Sequence, residues 1–151
     1  WGGRLPCYGV STLESMALTL GAYQGYVCPV MDARRNQVYN ALFYVNCGVV
    51  ERVTEDRAIA LSDLAEELKA LDGPIFLVGD GSILTHTTLK DTIPHLVLPP
   101  EHRMHQRASG VALAAVTKIS ANETGSGATL TPNYLRLSQA ERERMEKMKN
   151  Q

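Results

Sequence analysis

Asp32, Arg34 and Arg35 stand in the stretch MDARRNQVY (Met31–Tyr39) between two apolar runs, and Gly79-Asp80-Gly81 follows another apolar run, Ile75–Val78. A carboxylate at the end of a strand can organise Mg²⁺ or a water, and glycines beside it let a nucleotide approach the backbone. The same residues also suit plain structure: Asp32 as a turn cap and Gly79-Asp80-Gly81 as a tight strand-to-helix connection. Two adjacent arginines are more than a turn needs. They suit contact with a carboxylate of a partner or with the phosphates of a nucleic acid.

Other chemistries have weaker support. His102 and His105 have the i, i+3 spacing of a metal pair, but with His86 and His95 they offer no third ligand at sensible spacing. Arg103 and Arg107 would oppose a cation there. No serine sits on a nucleophile turn, and no Ser/His/Asp or Cys/His set stands out. Cys7, Cys28 and Cys47 are odd in number and lack C-x-x-C spacing. In strand-like apolar surroundings, they read as buried free thiols of a reducing compartment.

The elements that would position these residues follow from periodicity. Leu5–Val10 is a strand candidate, and Ser11-Thr12-Leu13-Glu14 fits a capping box ahead of a helix with Leu13, Met16, Ala17 and Leu20 on one face. Gly21 suits its end. Three strands then follow, Tyr26–Met31, Val38–Val45 and Val49–Thr54, joined by short turn-prone segments as an antiparallel meander. Ser62 caps a helix whose stripe is Leu61, Leu64, Leu68 and Leu71, with acidic residues in its early turns. Ile75–Val78 is a buried strand, followed by a helix to about Thr92 and a strand at His95–Leu98 that Pro99-Pro100 stops. A third helix spans about Met104–Ile119, with Ala108, Val111, Ala112, Ala115 and Ile119 on its buried side. Beyond a polar loop from Asn122 come an extended segment, Thr131–Arg136, and a strongly charged helix from Ser138.

This order predicts an α/β fold of ribonuclease H-like topology, a mixed sheet built from a three-stranded meander followed by α-β-α-β-α. The Asp32–Gln37 turn then lies at the mouth of the sheet, where α/β folds collect ligands.

Composition bounds the rest. The chain has 151 residues, 44% hydrophobic and 21% charged, with a formal net charge of -1, enough for one core. Without a global positive charge, nucleic-acid contact must come from a local basic patch. No apolar run is long enough to span a bilayer and no signal-peptide pattern opens the chain, so the expected location is cytoplasmic, with no membrane partner.

Four stretches together resemble one family: GVSTLESMA at 9–17, PVMDARRNQVYNALF at 29–43, VGDG at 78–81 and PNYLRLSQAER at 132–142. They are similar to the bacterial TsaB (YeaZ) proteins, relatives of the TsaD/Kae1 enzymes in the actin-like ATPase superfamily. The resemblance implies the C-terminal two thirds of such a protein. Residues 1–24 would be the end of a first ribonuclease H-like lobe, 25–121 a second lobe, and 122–151 a loop, strap and charged helix. The strand Leu5–Val10 and the face Leu13, Met16 and Leu20 would then have lost the sheet they pack on. Association into a homo-oligomer through residues 1–21, or poor order there, is expected.

The same resemblance implies a non-catalytic scaffold for threonylcarbamoyladenosine (t6A) formation at position 37 of tRNAs that read ANN codons. Its partners would be a TsaD-like catalytic subunit and a TsaE-like ATPase, with tRNA contacted indirectly. Asp32, Gly79, Asp80 and Gly81 fall where actin-like ATPases place phosphate and adenosine elements, and are expected to be vestigial nucleotide positions. No cofactor is expected of the chain itself, and ATP or ADP with Mg²⁺ only in the full complex. Arg34, Arg35, Tyr134 and Arg136 are the candidate partner or tRNA contacts. Competing expectations are an actin-like ATPase or kinase-type nucleotide-binding domain, and an M22-type metallopeptidase homologue. The paired-histidine metal motif of the TsaD relatives has no counterpart in these residues.

Overall fold

A computed structural model describes residues 5–123, 125–136 and 148. The charged C-terminal helix expected from Ser138 falls, apart from Met148, outside the described residues.

The organising strand is β1 (Gly25–Asp32), buried along most of its length. On one edge it pairs antiparallel with β2 (Gln37–Asn40) and β3 (Phe43–Asn46); on the other it pairs in parallel with β6 (Ile75–Val78), which carries β7 (Leu96–Val97). The pairs Val30 with Asn40 and Val27 with Phe43 belong to one continuous register, so β2 and β3 are two halves of the single strand expected over Val38–Val45. Opposite the break sits Pro29, which has no N–H to give to the ladder. The Asn40 side-chain amide takes over, donating to the carbonyls of Pro29 (3.0 Å) and Ala41 (2.9 Å).

At that break the sheet forks. Leu42 donates its N–H to the Thr54 hydroxyl (2.8 Å) and accepts from the N–H groups of Val53 and Thr54. Outside β3 lies β4 (Val49–Arg52), and outside β2 lies β5 (Arg57–Ala60), a strand absent from the meander read in the sequence. Helix α2 (Leu61–Lys69) follows β5 directly, so its N-cap is Ala60 and not Ser62, and no side chain caps it. Its stripe Leu61, Leu64 and Leu68 is buried as the spacing requires, with Val30, Val38, Leu77 and Ile93 in one core.

The opposite face carries α1 (Thr12–Leu18). Ser11 accepts the Glu14 N–H at 3.2 Å, as the capping box predicts. The Glu14 carboxylate goes to Arg52 instead of back to the cap. Leu13, Met16, Ala17 and Leu20 are buried on Val27, Phe43, Val45, Phe76 and Val78. The expectation that this face lacks a sheet is corrected: the chain's own sheet covers it, which leaves it unavailable for the homo-oligomer foreseen through residues 1–21. Leu5–Val10, in contrast, forms no strand, because no described edge runs beside it to pair its backbone groups, and Leu5 is 76% exposed.

After α3 (Ser82–Leu89) comes a short helix not foreseen, α4 (Glu101–Met104), and the helix expected from Met104 begins only at α5 (Ala108–Ser120), because His105 and Arg107 are extended. The buried side of α5 is Gly110 and Ala114, not the Ala108, Ala112 and Ile119 side; Ile119 is 51% exposed. A Cβ at Gly110 would overlap the Ser15 carbonyl, so α5 packs on α1 and its small residues serve helix–helix approach. No helix among the described residues is long and apolar enough to cross a membrane.

Candidate functional site

Parallel pairing of β1 with β6 ends both strands at the same corner, next to the Asp32–Gln37 turn and the Gly79–Gly81 loop. Gly79 has a φ of 100°, a left-handed conformation that costs any residue with a Cβ. A Cβ there would overlap the Val30 carbonyl oxygen, and one at Gly81 would crowd the backbone of Val30 and Asp32. Gly81 donates its N–H to that same Val30 carbonyl at 3.1 Å, and Gly79 donates to Met104 at 2.6 Å. Asp80 accepts the Asp32 N–H (3.3 Å), and the Asp32 carboxylate accepts the Arg34 N–H (2.7 Å).

Asp32, Gly79, Asp80 and Gly81 are therefore brought together, but in a closed arrangement. The Cβ directions of Gly79 and Gly81 face β1 backbone, and both carboxylates accept a bond from the chain itself.

The turn is different. Arg34, Arg35 and Asn36 have φ values of 64°, 55° and 57°, three successive left-handed residues without a glycine. Arg34 and Arg35 each cost roughly 1–2 kcal/mol of backbone strain, whereas asparagine is among the residues that visit this region. The turn is held by Ala33 donating to Gln37, Gln37 to Arg34 and Leu61 to Asn36. Both arginines are exposed; the Arg34 side chain is 87% exposed and only 3.6 Å from Asp32 at its nearest.

To this turn the structure adds Arg136, 103 residues away, whose Nη1 donates to the Ala33 carbonyl at 2.6 Å. That bond lays the strap Leu130–Arg136 along a groove of about 900 Å³ whose walls include Val10, Met31, Tyr39, Leu130 and Leu135. Tyr134 stands on its rim, 84% exposed. Tyr134 and Arg136 thus line the groove, and the Arg136–Ala33 bond joins its end to the turn that carries Arg34 and Arg35. Tyr39 was not singled out in the sequence reading, and its only signal was its place in the opening stretch.

At the far end of the groove, Asp56 accepts from Ser11 and pairs with Arg52 at 2.7 Å, and Arg52 also pairs with Glu14. Burial works against the Arg52 charge, but bonds to Asp56 and Glu14 overcome it and hold the guanidinium more firmly charged. The groove's acid is thereby neutralised from within.

A family model described as "TsaD: tRNA N6-adenosine threonylcarbamoyltransferase" matches residues 1–144. Over 150 residues the chain is 32% identical to the "tRNA threonylcarbamoyladenosine biosynthesis protein TsaB" of Bacillus subtilis (strain 168). The chain belongs to the TsaB (YeaZ) family. The match covers 99% of this chain and 64% of the Bacillus protein, so this TsaB-family chain spans just under two thirds of the curated relative's length. The solved structure of "YeaZ from Pseudomonas aeruginosa" shares the fold at a TM-score of 0.64 and 19% identity, over 86% of this chain and 59% of that one. A second structure, "an uncharacterized protein with similarity to peptidase YEAZ from Pseudomonas aeruginosa", gives 0.59 at 18% identity, over 87% and 59%.

The cysteines of this TsaB-family chain correct the sequence reading. Only Cys28 is buried, whereas Cys7 and Cys47 are exposed. Burial pushes the Cys28 thiol up to about 12, against the opposing hydrogen bond from Asn40, which keeps it protonated and unreactive. Asn40 in turn accepts from Arg57, which pairs with Glu67. Among the described residues no three His, Cys, Asp or Glu side chains are grouped to hold a metal.

Proposed function

We propose that this chain acts as a non-catalytic partner subunit in t6A formation on tRNAs that read ANN codons. In this reading a TsaD-like subunit carries out the transfer, a TsaE-like ATPase cycles the complex, and the present chain scaffolds the transferase. The observation that carries it is the 32% identity to a t6A biosynthesis protein along 99% of the chain. The closed corner supports a scaffold rather than an ATPase or kinase-type domain, because its glycines pack on β1. A strand with antiparallel partners on one edge and parallel additions on the other supports a ribonuclease H-like lobe over 25–121. Residues 1–24 and 122–151 flank that lobe in the proposed division. Participation in tRNA modification supports a cytoplasmic setting.

Size-exclusion chromatography of the chain mixed with a TsaD-like subunit tests the pairing. Co-elution is expected; independent elution at micromolar concentrations would refute it.

A further inference from the structure

We infer that the Arg34–Asn36 turn and the strap Leu130–Arg136 form a contact surface for single-stranded RNA, with arginines for the phosphates and tyrosines for the bases. This rests on the tRNA-modification reading and adds that the chain touches RNA directly.

Arg136 is anchored to the Ala33 carbonyl, at the start of the turn that carries the exposed Arg34 and Arg35. Among the described residues Arg35 has no ion-pair partner, and Arg34 has only the loose contact with Asp32. The nearby carboxylates are engaged within the chain. Asp32 accepts from Arg34 N–H, Asp80 accepts from Asp32 N–H, and Asp56 is bound by Arg52 and Ser11. Tyr134 on the rim and Tyr39 in the wall give the groove two aromatic rings, Tyr134 84% exposed. Single-stranded RNA is recognised by this combination of arginine and aromatic faces on which unstacked bases rest. The strained turn fits a surface whose function requires it. A net charge of -1 makes the contact local and auxiliary.

The test is fluorescence anisotropy of a fluorescein-labelled oligouridylate titrated with the 151-residue chain over about 50–200 mM salt. The expected log–log salt slope is about −2, as for three phosphates neutralised on a single strand. Arg34→Ala with Arg35→Ala should reduce its magnitude by more than half. Tyr134→Ala should leave the slope unchanged and weaken binding roughly 5- to 150-fold. Circular dichroism should show both variants folded. No binding at the lowest salt, or a slope that survives the double substitution, overturns the inference. If RNA binding is absent while the chain still co-elutes with the TsaD-like subunit, this inference falls alone. RNA binding without co-elution supports it and refutes the partner reading.

Discussion

The corner at Gly79–Gly81 and the turn at Arg34–Asn36 meet across Asp32, yet they solve opposite problems. At the corner, glycines let two backbones touch, and the polar groups answer each other inside the chain. At the turn, residues with full side chains take conformations that suit glycine, and their charges face outward. A sequence that wanted only a stable turn would place glycine or asparagine at positions 34 and 35, as it does asparagine at 36. Strain tolerated beside exposed charge is what motivates the proposed contact surface at the turn, whereas the corner is closely packed.

Breaking the framework should cost most. Gly79→Ala combines a left-handed φ with overlap on Val30 and is expected to destabilise by about 3–5 kcal/mol, read as a fall in the urea midpoint. Arg52→Ala leaves Glu14 and Asp56, each less than a third exposed, without their partner. A loss of about 1–3 kcal/mol is expected from the same titration. Arg35→Gly should act in the other direction, stabilising by about 1 kcal/mol by relieving left-handed strain, while weakening the proposed RNA contact. A variant that gains no stability would show that the turn carries no strain.

Near neutral pH the smallest effect belongs to the buried thiol. Cys28 binds its proton more tightly folded than unfolded, so the unfolded chain holds fewer protons between the ordinary thiol value of 9.0 and about 12. Stability should therefore be unaffected below pH 9 and decline above it. In the native state at pH 8 a thiol reagent should label Cys7 and Cys47 and spare Cys28 until denaturant is added. Labelling of all three thiols in the native state would contradict this packing.

Local pattern made much of this legible. The apolar run of β1, the Ser11 cap, the leucine stripe of α2 and the order of β6, α3 and β7 depend on neighbouring residues, and sequence shows them directly. The fork at Ala41–Leu42 was hidden because it depends on a missing N–H at Pro29, a strand away, and on an Asn40 amide that repairs the gap. Strand β5 was hidden because four residues beginning with arginine carry little alternation. The buried side of α5 was misread because small residues suit a helix neighbour as well as a sheet, and Gly110 chose α1. At the site, Asp32 and the glycines were visible as residues, but whether their corner was open or closed depends on where Val30 lies. The Arg136–Ala33 bond spans 103 residues, and no local pattern announces it.

The central claim is that this TsaB-family chain enables a TsaD-like transferase without doing the chemistry itself. The most direct measurement is mass-spectrometric quantification of t6A in tRNA after reaction with threonylcarbamoyl-adenylate, a TsaD-like subunit and a TsaE-like ATPase, with and without the chain. The account predicts t6A that depends on the chain, and none from the chain without the TsaD-like subunit. Equal t6A with and without the chain would contradict it, as would t6A formed by the chain in the absence of the TsaD-like subunit.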